Sequence, residues 1–408
     1  MPGSVPLPAL DPDTVPDGGR LPATLLMAGS CLPVLGAVLI APVLPKMQDH
    51  FDSVPGAKTL VPVVLTIPAL ALALLAPFAG VIVDRLGRTR LLIVATVLYA
   101  VFGTAPLWLD SLGAIVASRV LVGISEAAIM TCCTTLIGDY YTGRVRDRYL
   151  ALQTMCASAA ATAFFVLGGA LGSAGWRAPF WIYAVGLLLA PAMAAALPKP
   201  RSGGAPVDSV SAAEARPFPV RRLAGLCALT MFGGTVFYAV PVEMSYLLDD
   251  LGVTSTGVIG LATALASAAT VAGSVTFTRL RGESGGRLPA VFALCGAGFV
   301  VMGLSGDPVL LVVGAVLNCL GCGVLLPSLL TVALSRLEYA DRGRGTGLWT
   351  AAFFAGEFVC PLVLIAAESA VGSLSGAVGL LGLASALTAA GLLWARRRVS
   401  LAEEIPRP

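Results

Sequence analysis

Charged residues are scarce in this chain of 408 residues. Asp, Glu, Lys and Arg together make up 12% of the sequence, whereas about a quarter is usual for a soluble globular protein. Hydrophobic residues make up 57%, and the mean hydropathy is +0.88. No soluble core could bury that much apolar sequence, so a water-soluble fold is excluded.

Residues for several kinds of chemistry are also lacking. His50 is the single histidine, and the sequence holds no Ser/His/Asp set, no metal-binding cluster and no phosphate loop of the type Gly-x4-Gly-Lys-Ser/Thr. We therefore expect no membrane enzyme, no metal, no cofactor and no direct use of ATP. The net charge of +3 reflects membrane topology and gives no case for nucleic-acid binding.

Cysteine occurs nine times, and every cysteine lies within an apolar stretch. Buried cysteine behaves as a small hydrophobic residue, so no disulfide framework is expected. Cys319 and Cys322 have the spacing of a redox pair. Because they fall in the middle of an apolar stretch, we interpret them as packing residues.

Long apolar runs are abundant. A helix that crosses a bilayer needs about 20 apolar residues, whereas a membrane barrel shows strands of about 10 residues with alternating polarity. The runs here are long, continuous and rich in Leu, Ala and Gly, which predicts an all-α membrane protein with twelve transmembrane helices. The predicted spans are 22–44, 57–83, 89–109, 112–137, 148–173, 178–197, 221–247, 254–278, 288–305, 308–335, 345–369 and 375–395.

Lysine and arginine are concentrated in alternate connections between these spans. Connections rich in basic residues stay in the cytoplasm, which predicts a multi-pass protein of the bacterial inner (plasma) membrane with both termini in the cytoplasm. Residues 1–20 are rich in Pro and Asp and lack the pattern of a cleavable signal peptide, so we expect a disordered tail. The basic-poor connections hold only Lys46, Lys58 and Arg177.

A polar linker rich in Pro, Gly and Ser divides the chain into two halves with six spans each. The basic segment 144–148 before the fifth span is echoed by 341–344 before the eleventh. Two similar bundles around a central crevice are the architecture of a secondary transporter, and such a chain is expected to act as a monomer. The predicted segments are a cytoplasmic tail (1–20), an N-terminal bundle (21–198), a cytoplasmic linker (199–220), a C-terminal bundle (221–396) and a cytoplasmic tail (397–408).

The connection after the second span reads Gly80-Val-Ile-Val-Asp84-Arg85-Leu-Gly87-Arg88-Thr-Arg90. It resembles the signature loop of the major facilitator superfamily, which has Gly, three residues, Asp, a basic residue, one residue, Gly, Arg and a further basic residue. Together with the twelve spans and the linker, the resemblance covers residues 21–396. It implies two bundles that rock against each other and a loop that acts as a conformational latch. The residues of this latch are Gly80, Asp84, Arg85, Gly87 and Arg88.

Each part of the loop also has a physical interpretation. Gly80 is expected to permit a close helix contact, and Gly87 a turn that other residues avoid. Asp84 is expected to end a helix and to meet a neighbouring helix N-terminus or an arginine. The arginines can also be simple topology anchors, the interpretation that we favour for Arg90. Since the second half has Phe277 in place of the acid, the latch is expected to be one-sided.

Two further stretches resemble family patterns. Residues 119–126, Arg-Val-Leu-Val-Gly-Ile-Ser-Glu, match a pattern of the fourth helix, and Arg119 is the only basic residue that lies inside a predicted span away from its ends. Exporters of the antiporter type carry Gly-Pro, two residues and Gly-Gly in the fifth helix. Here Gly168-Gly169 is retained but Phe164-Phe165 replaces Gly-Pro, which weakens the antiporter assignment.

Three acidic residues, Glu126, Glu243 and Glu357, lie well inside predicted spans. Ionisable groups at this depth are costly and usually functional, and each should face the cavity between the bundles. A low dielectric favours the neutral carboxyl, so we expect these residues to carry protons, with a structural hydrogen bond as the alternative role. Glu126 follows Arg119 by about 10 Å along the helix axis, which is too far for a direct pair.

Polar and aromatic side chains near these acids are candidates for substrate binding. They are expected to line a pocket for a lipophilic or aromatic compound, and a ring face can also hold a cation. Ordinary helix packing is the alternative for each ring. The candidates are Arg119, Phe237, Tyr238, Tyr246, Asn318, Trp349, Phe353 and Phe354.

The sequence resembles the drug and metabolite exporters of the family. That resemblance implies alternating access with proton-coupled export (antiport) of a small hydrophobic compound such as a drug or secondary metabolite. The expected partners are this substrate, protons and the lipid bilayer. Two alternatives stay open: a proton symporter importing an organic anion, sugar or other metabolite, with Arg119 as the anion partner, and a non-transporting receptor of the same fold.

Overall fold

The computed structural model describes residues 20–198, 220–280, 284–337 and 341–404. Within these ranges the chain is helical, and twelve helical segments are long and apolar enough to cross a membrane. The predicted fold class and number of spans are therefore confirmed. Most of the predicted N-terminal tail and of the linker, and the last four residues, lie outside the described residues.

The helices follow each other through short connections. Among the described elements, α1 and α2 together form the first span, with a 3-10 turn Ala41–Val43 between them. The sixth span consists of a 3-10 helix Ala178–Ala184 followed by α8. The bounds are α1 Arg20–Val38, α2 Leu44–His50, α3 Ala57–Leu75, α4 Ala79–Leu86, α5 Arg88–Thr104, α6 Leu112–Tyr140, α7 Gly143–Gly172, α8 Val185–Ala196, α9 Val220–Asp250, α10 Thr256–Arg279, α11 Ser284–Leu304, α12 Pro308–Ser335, α13 Arg342–Val371 and α14 Leu374–Glu404.

The second predicted span, 57–83, is too long. The spanning helix α3 ends at Leu75, and α4 is a separate short helix that is not a span. Pro77 has no N–H to continue the hydrogen-bond ladder, which explains the break. Gly87 joins α4 to α5 with φ of +84°, as the sequence predicts. A Cβ on Gly80, in contrast, would meet no neighbouring atom within 4 Å, so the predicted close helix contact is not made there.

The spans alternate in direction, so their ends form two faces of the bundle. We call the face with Arg20, Arg88 and Arg279 the basic end, and the opposite face, with Lys58 and Arg177, the far end. We call helices α1–α8 the first half of the chain and helices α9–α14 the second half. The halves meet chiefly where α7 packs against α10 and where α3 packs against α13.

Close contacts join the halves at the far end. A Cβ on Gly169 of α7 would overlap the Thr256 carbonyl oxygen and lie 2.9 Å from the Cα of Gly260, both in α10. Across the interface, Lys58 of α3 donates to the carboxylate of Glu368 in α13 at 2.8 Å. Because glycine allows helix backbones to approach this closely, the far end is closed.

Gly169→Ala is expected to open this contact. The new methyl would meet backbone atoms that cannot rotate away, and overpacking of this kind costs about 1–3 kcal/mol, which corresponds to a shift of roughly fivefold to a hundredfold in the ratio of closed to open protein. Hydrogen-exchange mass spectrometry of far-end peptides of α7 and α10 should then show faster exchange. Gly138→Ala is the control, because a Cβ at Gly138 meets nothing within 4 Å. Equal exchange in the two variants would contradict the proposed contact.

Candidate functional site: a cavity between the halves

A cavity of about 570 Å³ lies between the two halves. Helices α1, α3, α6 and α7 line it from the first half, and α9, α10, α12 and α13 from the second. The lining residues toward the far end, such as Phe165 and Val240, are buried, whereas Thr134 and Thr154 toward the basic end are exposed. The cavity is thus closed at the far end and open toward the basic end.

Two carboxyl groups enter this cavity from opposite halves. Glu126 of α6 is 2% exposed and Glu357 of α13 is 5% exposed, and both line the cavity. The Oε1 atom of Glu126 is buried without a hydrogen-bond partner. In the part of the chain that the structure describes, neither carboxyl has an ion-pair partner and no lysine, arginine or histidine lines the cavity.

The end of α1 forms the surface against which Glu126 rests. A Cβ on Gly36 would overlap Oε1 of Glu126, so only glycine leaves room for the carboxyl here. The next carbonyl, that of Ala37, accepts a hydrogen bond from the hydroxyl of Tyr238 at 2.5 Å. Since Tyr238 belongs to α9, this bond links the two halves directly beside the carboxyl pair.

Arg119 is fully buried within the first half and does not line the cavity. Its guanidinium donates to the carbonyl oxygens of Gly36 at 2.8 Å and Val64 at 3.2 Å, and to the Tyr183 hydroxyl at 2.7 Å. It also lies 5.1 Å from the centre of the Tyr183 ring. Arg119 therefore ties α1, α3 and α6 to the sixth span, and it makes no ion pair with Glu126.

The aromatic candidates fall into two groups. Phe237, Tyr238 and Phe354 line the cavity. Phe353 lies behind this wall, between Phe237 at 5.7 Å and a stacked Trp349 at 5.8 Å. The structure brings none of Tyr246, Asn318, Trp349 and Phe353 to the cavity surface.

A row of polar side chains on α7 and α10 was missed at the sequence level. Gln153 donates to the hydroxyls of Ser30 at 2.7 Å and Thr134 at 3.1 Å. Further along α7, Thr162 hydrogen-bonds Ser267 of α10 at 3.2 Å. The spacing of four residues between Thr154, Ser158 and Thr162 could have predicted a shared helix face. The remaining polar residues that line the cavity from these two helices are Thr154, Ser158, Thr263 and Thr270.

Glu243 does not line the cavity, although it is only 4% exposed. It lies on the far third of α9, among residues that pack in the closed far end. The expectation that all three buried carboxyls face the cavity is therefore corrected for Glu243. Its helix continues into the contact between the halves, beyond the level of the cavity.

The loop 80–90 forms ion pairs at the basic end. Arg88 binds Asp84 at 2.7 Å and also pairs with Asp139 at the end of α6. Asp84 thus meets an arginine at the N-terminus of α5, as predicted. All three residues belong to the first half, so these pairs hold α4, α5 and α6 together. Asp139 was not among the residues that the sequence pattern indicated.

Comparisons with known proteins place the chain among membrane transporters. The sequence profile of the Major Facilitator Superfamily matches residues 26–242, just over half of the chain. The class C tetracycline resistance protein of Escherichia coli is 34% identical over 162 residues, which are 38% of this chain and 39% of that protein. Multidrug resistance protein 1 of Bacillus subtilis (strain 168) is 29% identical over 174 residues, 41% of this chain and 42% of that protein. The matches thus span about two fifths of these curated relatives.

Solved structures share the fold at low sequence identity. A D-xylose–proton symporter has a TM-score of 0.78 at 13% identity and covers 92% of this chain and 97% of its own. A bacterial homologue of the human lysosomal transporter Spinster, in an inward-facing and occupied conformation, has a TM-score of 0.71 at 16% identity and covers 95% and 98%. At these identities the likeness shows the fold alone.

Proposed function

Because this chain belongs to the major facilitator superfamily of transporters, we propose that it exports small, largely apolar cations in exchange for protons. The observation that carries this proposal is the cavity itself, which is mostly apolar and contains two carboxyls that form no ion pair among the described residues. Either a proton or an organic cation can neutralise such a group, and an unneutralised charge at this depth is costly.

The orientation follows from the distribution of basic residues. We place the basic end, with both termini, in the cytoplasm of a bacterial cell, since loops rich in Lys and Arg remain on that side. The cavity then faces the cytoplasm, and the contacts of Gly169 and Lys58 seal it from the outside. A compound dissolved in the cytoplasm or in the inner leaflet has access to the carboxyl pair in this state.

Exchange arises from competition for the carboxyls Glu126 and Glu357. In the state open to the cytoplasm, an organic cation binds as the carboxyls release protons to the cytoplasm. After the halves rock and the far end opens, protons from outside neutralise the carboxyls and the cation leaves. Proton entry and substrate exit are coupled because the buried pair returns across the membrane only when neutralised.

The remaining walls suit an amphiphilic molecule. Phe237 and Phe354 present rings near the acids, where a cation over a ring face gains about 0.5–2 kcal/mol. Gln153, Thr154 and Ser158 add hydrogen-bonding groups to a lining that is otherwise mostly apolar. The volume of about 570 Å³ lies in the range of ordinary small-molecule sites, roughly 300–1,000 Å³.

Everted membrane vesicles with an imposed pH gradient test this function. Ethidium, a permanent cation, should accumulate in vesicles with an acidic lumen, and its entry should release protons from the lumen. An uncharged dye of similar size should not accumulate. A panel of lipophilic cations that shows no gradient-dependent uptake would contradict the proposal, provided that the purified protein is folded.

Proton-coupled import of a hydroxylated metabolite is a second candidate. It is favoured by the polar row on α7 and α10, in which Gln153, Ser158 and Ser267 line the cavity. Import requires the substrate to follow the proton into the cell. Accumulation of a radiolabelled sugar in right-side-out vesicles with an acidic exterior, without ethidium transport in everted ones, would establish this alternative.

Asp84→Asn is expected to slow transport about two- to fivefold without changing the concentration for half-maximal uptake. The change removes one of the two pairs of Arg88 at the basic end, where partly exposed ion pairs contribute about 0.2–1 kcal/mol. Initial rates in everted vesicles measure the effect. Arg90→Gln is the control in the same loop, because Arg90 is exposed and makes no ion pair within the described residues. The two substitutions change the loop charge in opposite directions, so an equal loss in both variants would contradict a specific role of the pair between Asp84 and Arg88.

A further inference from the structure

Glu243 has a buried carboxyl group that does not line the cavity. It is 4% exposed, and within the described ranges it makes no hydrogen bond or ion pair. This part of α9 packs against α13 of its own half and against the turn Ala41–Val43 and α2 of the other half. Nearby on α9, the hydroxyls of Ser245 and Tyr246 are also buried without partners. The far third of α9 therefore buries a carboxyl and two hydroxyls close to the contact between the halves.

The charges around Glu243 do not stabilise a carboxylate. Glu368 of α13 acts on Glu243 as a second negative group, and Asp49 of α2 acts in the same way on the neighbouring Tyr246. The thiol of Cys360, also on α13, lies within electrostatic reach of Glu243. The cations at this end have other partners: Lys58 is bound to Glu368 at 2.8 Å, Lys46 of α2 donates to the carbonyl oxygen of Gly172 at 2.9 Å, and Arg177 pairs with Asp110. The turn Ala41–Val43 brings no titratable side chain, and α10, α12 and α14 contribute no charge that acts on Glu243.

A carboxylate buried beside another acid is strongly disfavoured unless a cation pairs with it. In the closed far end Glu243 has no such cation, so its neutral acid form is the one compatible with closure. Separation of the halves removes the Ala41–Val43 turn and α2 from α9 and breaks the pair between Lys58 and Glu368. Water then reaches Glu243, and the acid can release its proton.

We propose that Glu243 is a second proton-binding site, separate from the carboxyl pair of the cavity, and that closure of the far end requires its protonation. The reaction is the binding of one proton from far-side water to the carboxylate of Glu243, and reopening returns that proton to the same side. This proton is not exchanged for substrate. The site rests on the proposed function only in that the far end opens and closes during transport.

Hydrogen-exchange mass spectrometry of the full chain in nanodiscs tests this site without any substrate. Exchange in far-end peptides of α7, α9 and α10 is compared between pH 6 and pH 8.5 after correction for intrinsic rates. In the wild type, the closed population should fall as the pH rises, by up to about tenfold for each pH unit where Glu243 titrates. Glu243→Gln should keep the far end protected at both pH values, and Glu243→Asp should restore the pH dependence.

Two controls separate Glu243 from other acids. Asp249→Asn alters a partly exposed acid near the end of the same helix and should keep the wild-type pH dependence. The double variant Glu126→Gln/Glu357→Gln should also keep it, because these carboxyls lie in the cavity. If far-end protection in Glu243→Gln depends on pH as it does in the wild type, the proposal is wrong. If that variant fails to fold, a wild-type far end whose protection does not change with pH overturns it equally.

Vesicle transport distinguishes this site from the proposed function. Glu243→Gln should slow turnover but leave the number of protons released per ethidium unchanged. If the wild type does not transport ethidium, the export proposal is wrong. The hydrogen-exchange result for Glu243 does not depend on that outcome. A changed ratio of protons to ethidium in Glu243→Gln would instead show that the proton of Glu243 is exchanged for substrate. That result would overturn the proposal that Glu243 is a site separate from the two cavity carboxyls.

Discussion

Glu357→Gln is expected to abolish proton-driven transport while the protein remains folded. The amide has nearly the shape of the neutral acid, so packing around α13 is preserved. It can neither release a proton nor pair with a cation. Charged hydrogen bonds contribute about 1.5–3 kcal/mol, which corresponds to a loss in ethidium affinity of roughly tenfold to a hundredfold.

Two measurements check this result. Ethidium binding is followed by fluorescence on purified protein, and gradient-driven uptake is followed in everted vesicles. Glu126→Gln should reduce both as well, because Glu126 reaches the same cavity from the other half. Asp52→Asn makes the same chemical change at an exposed position outside the cavity and should behave as the wild type. Coupled transport that survives in both cavity variants would remove the proton assignment.

Arg119→Met is expected to destabilise the protein by about 3 kcal/mol or more. The substitution keeps much of the side-chain volume but leaves the carbonyls of Gly36 and Val64 and the Tyr183 hydroxyl without their donor. Arg119→Lys should lose less stability than Arg119→Met, because an ammonium group retains the charge. It should still be less stable than the wild type, because an ammonium group cannot match the planar fork of the guanidinium.

Thermal unfolding in detergent and the yield of monodisperse protein measure this effect. Tyr183→Phe removes one of the three acceptors of Arg119 and should cost about 1–2 kcal/mol. Arg90→Gln, at an exposed site, should leave stability unchanged. A stable Arg119→Met protein that no longer binds substrate would instead support a direct role of Arg119 in binding.

Much of the candidate site was visible in the sequence because charge inside a membrane span is rare. Glu126, Glu243 and Glu357 stood out on that ground alone, and two of the three line the cavity. The aromatic residues were harder to assign, since a ring that packs between helices and a ring that lines a cavity occur in the same apolar segments. Phe353 and Phe354 are adjacent in sequence, yet only Phe354 reaches the cavity.

The polar row on α7 was overlooked for a similar reason. Serine and threonine in membrane helices often donate to their own backbone, as Ser158 does to Thr154 here at 3.0 Å, so their presence alone indicates little. Gln153 becomes informative only when Ser30 and Thr134, which belong to two other helices, are known to lie beside it.

The amino-acid sequence by itself determined the twelve spans and the short list of buried ionisable groups. These follow from local requirements: a bilayer needs about 20 apolar residues per helix and excludes unpaired charge. The tertiary structure decided which side of each helix meets which neighbour. That choice places Glu126 and Glu357 in one cavity, Glu243 in the closed far end and Arg119 within the first half. Residues far apart in the chain make these contacts, and helical periodicity defines a face without identifying the helix that covers it.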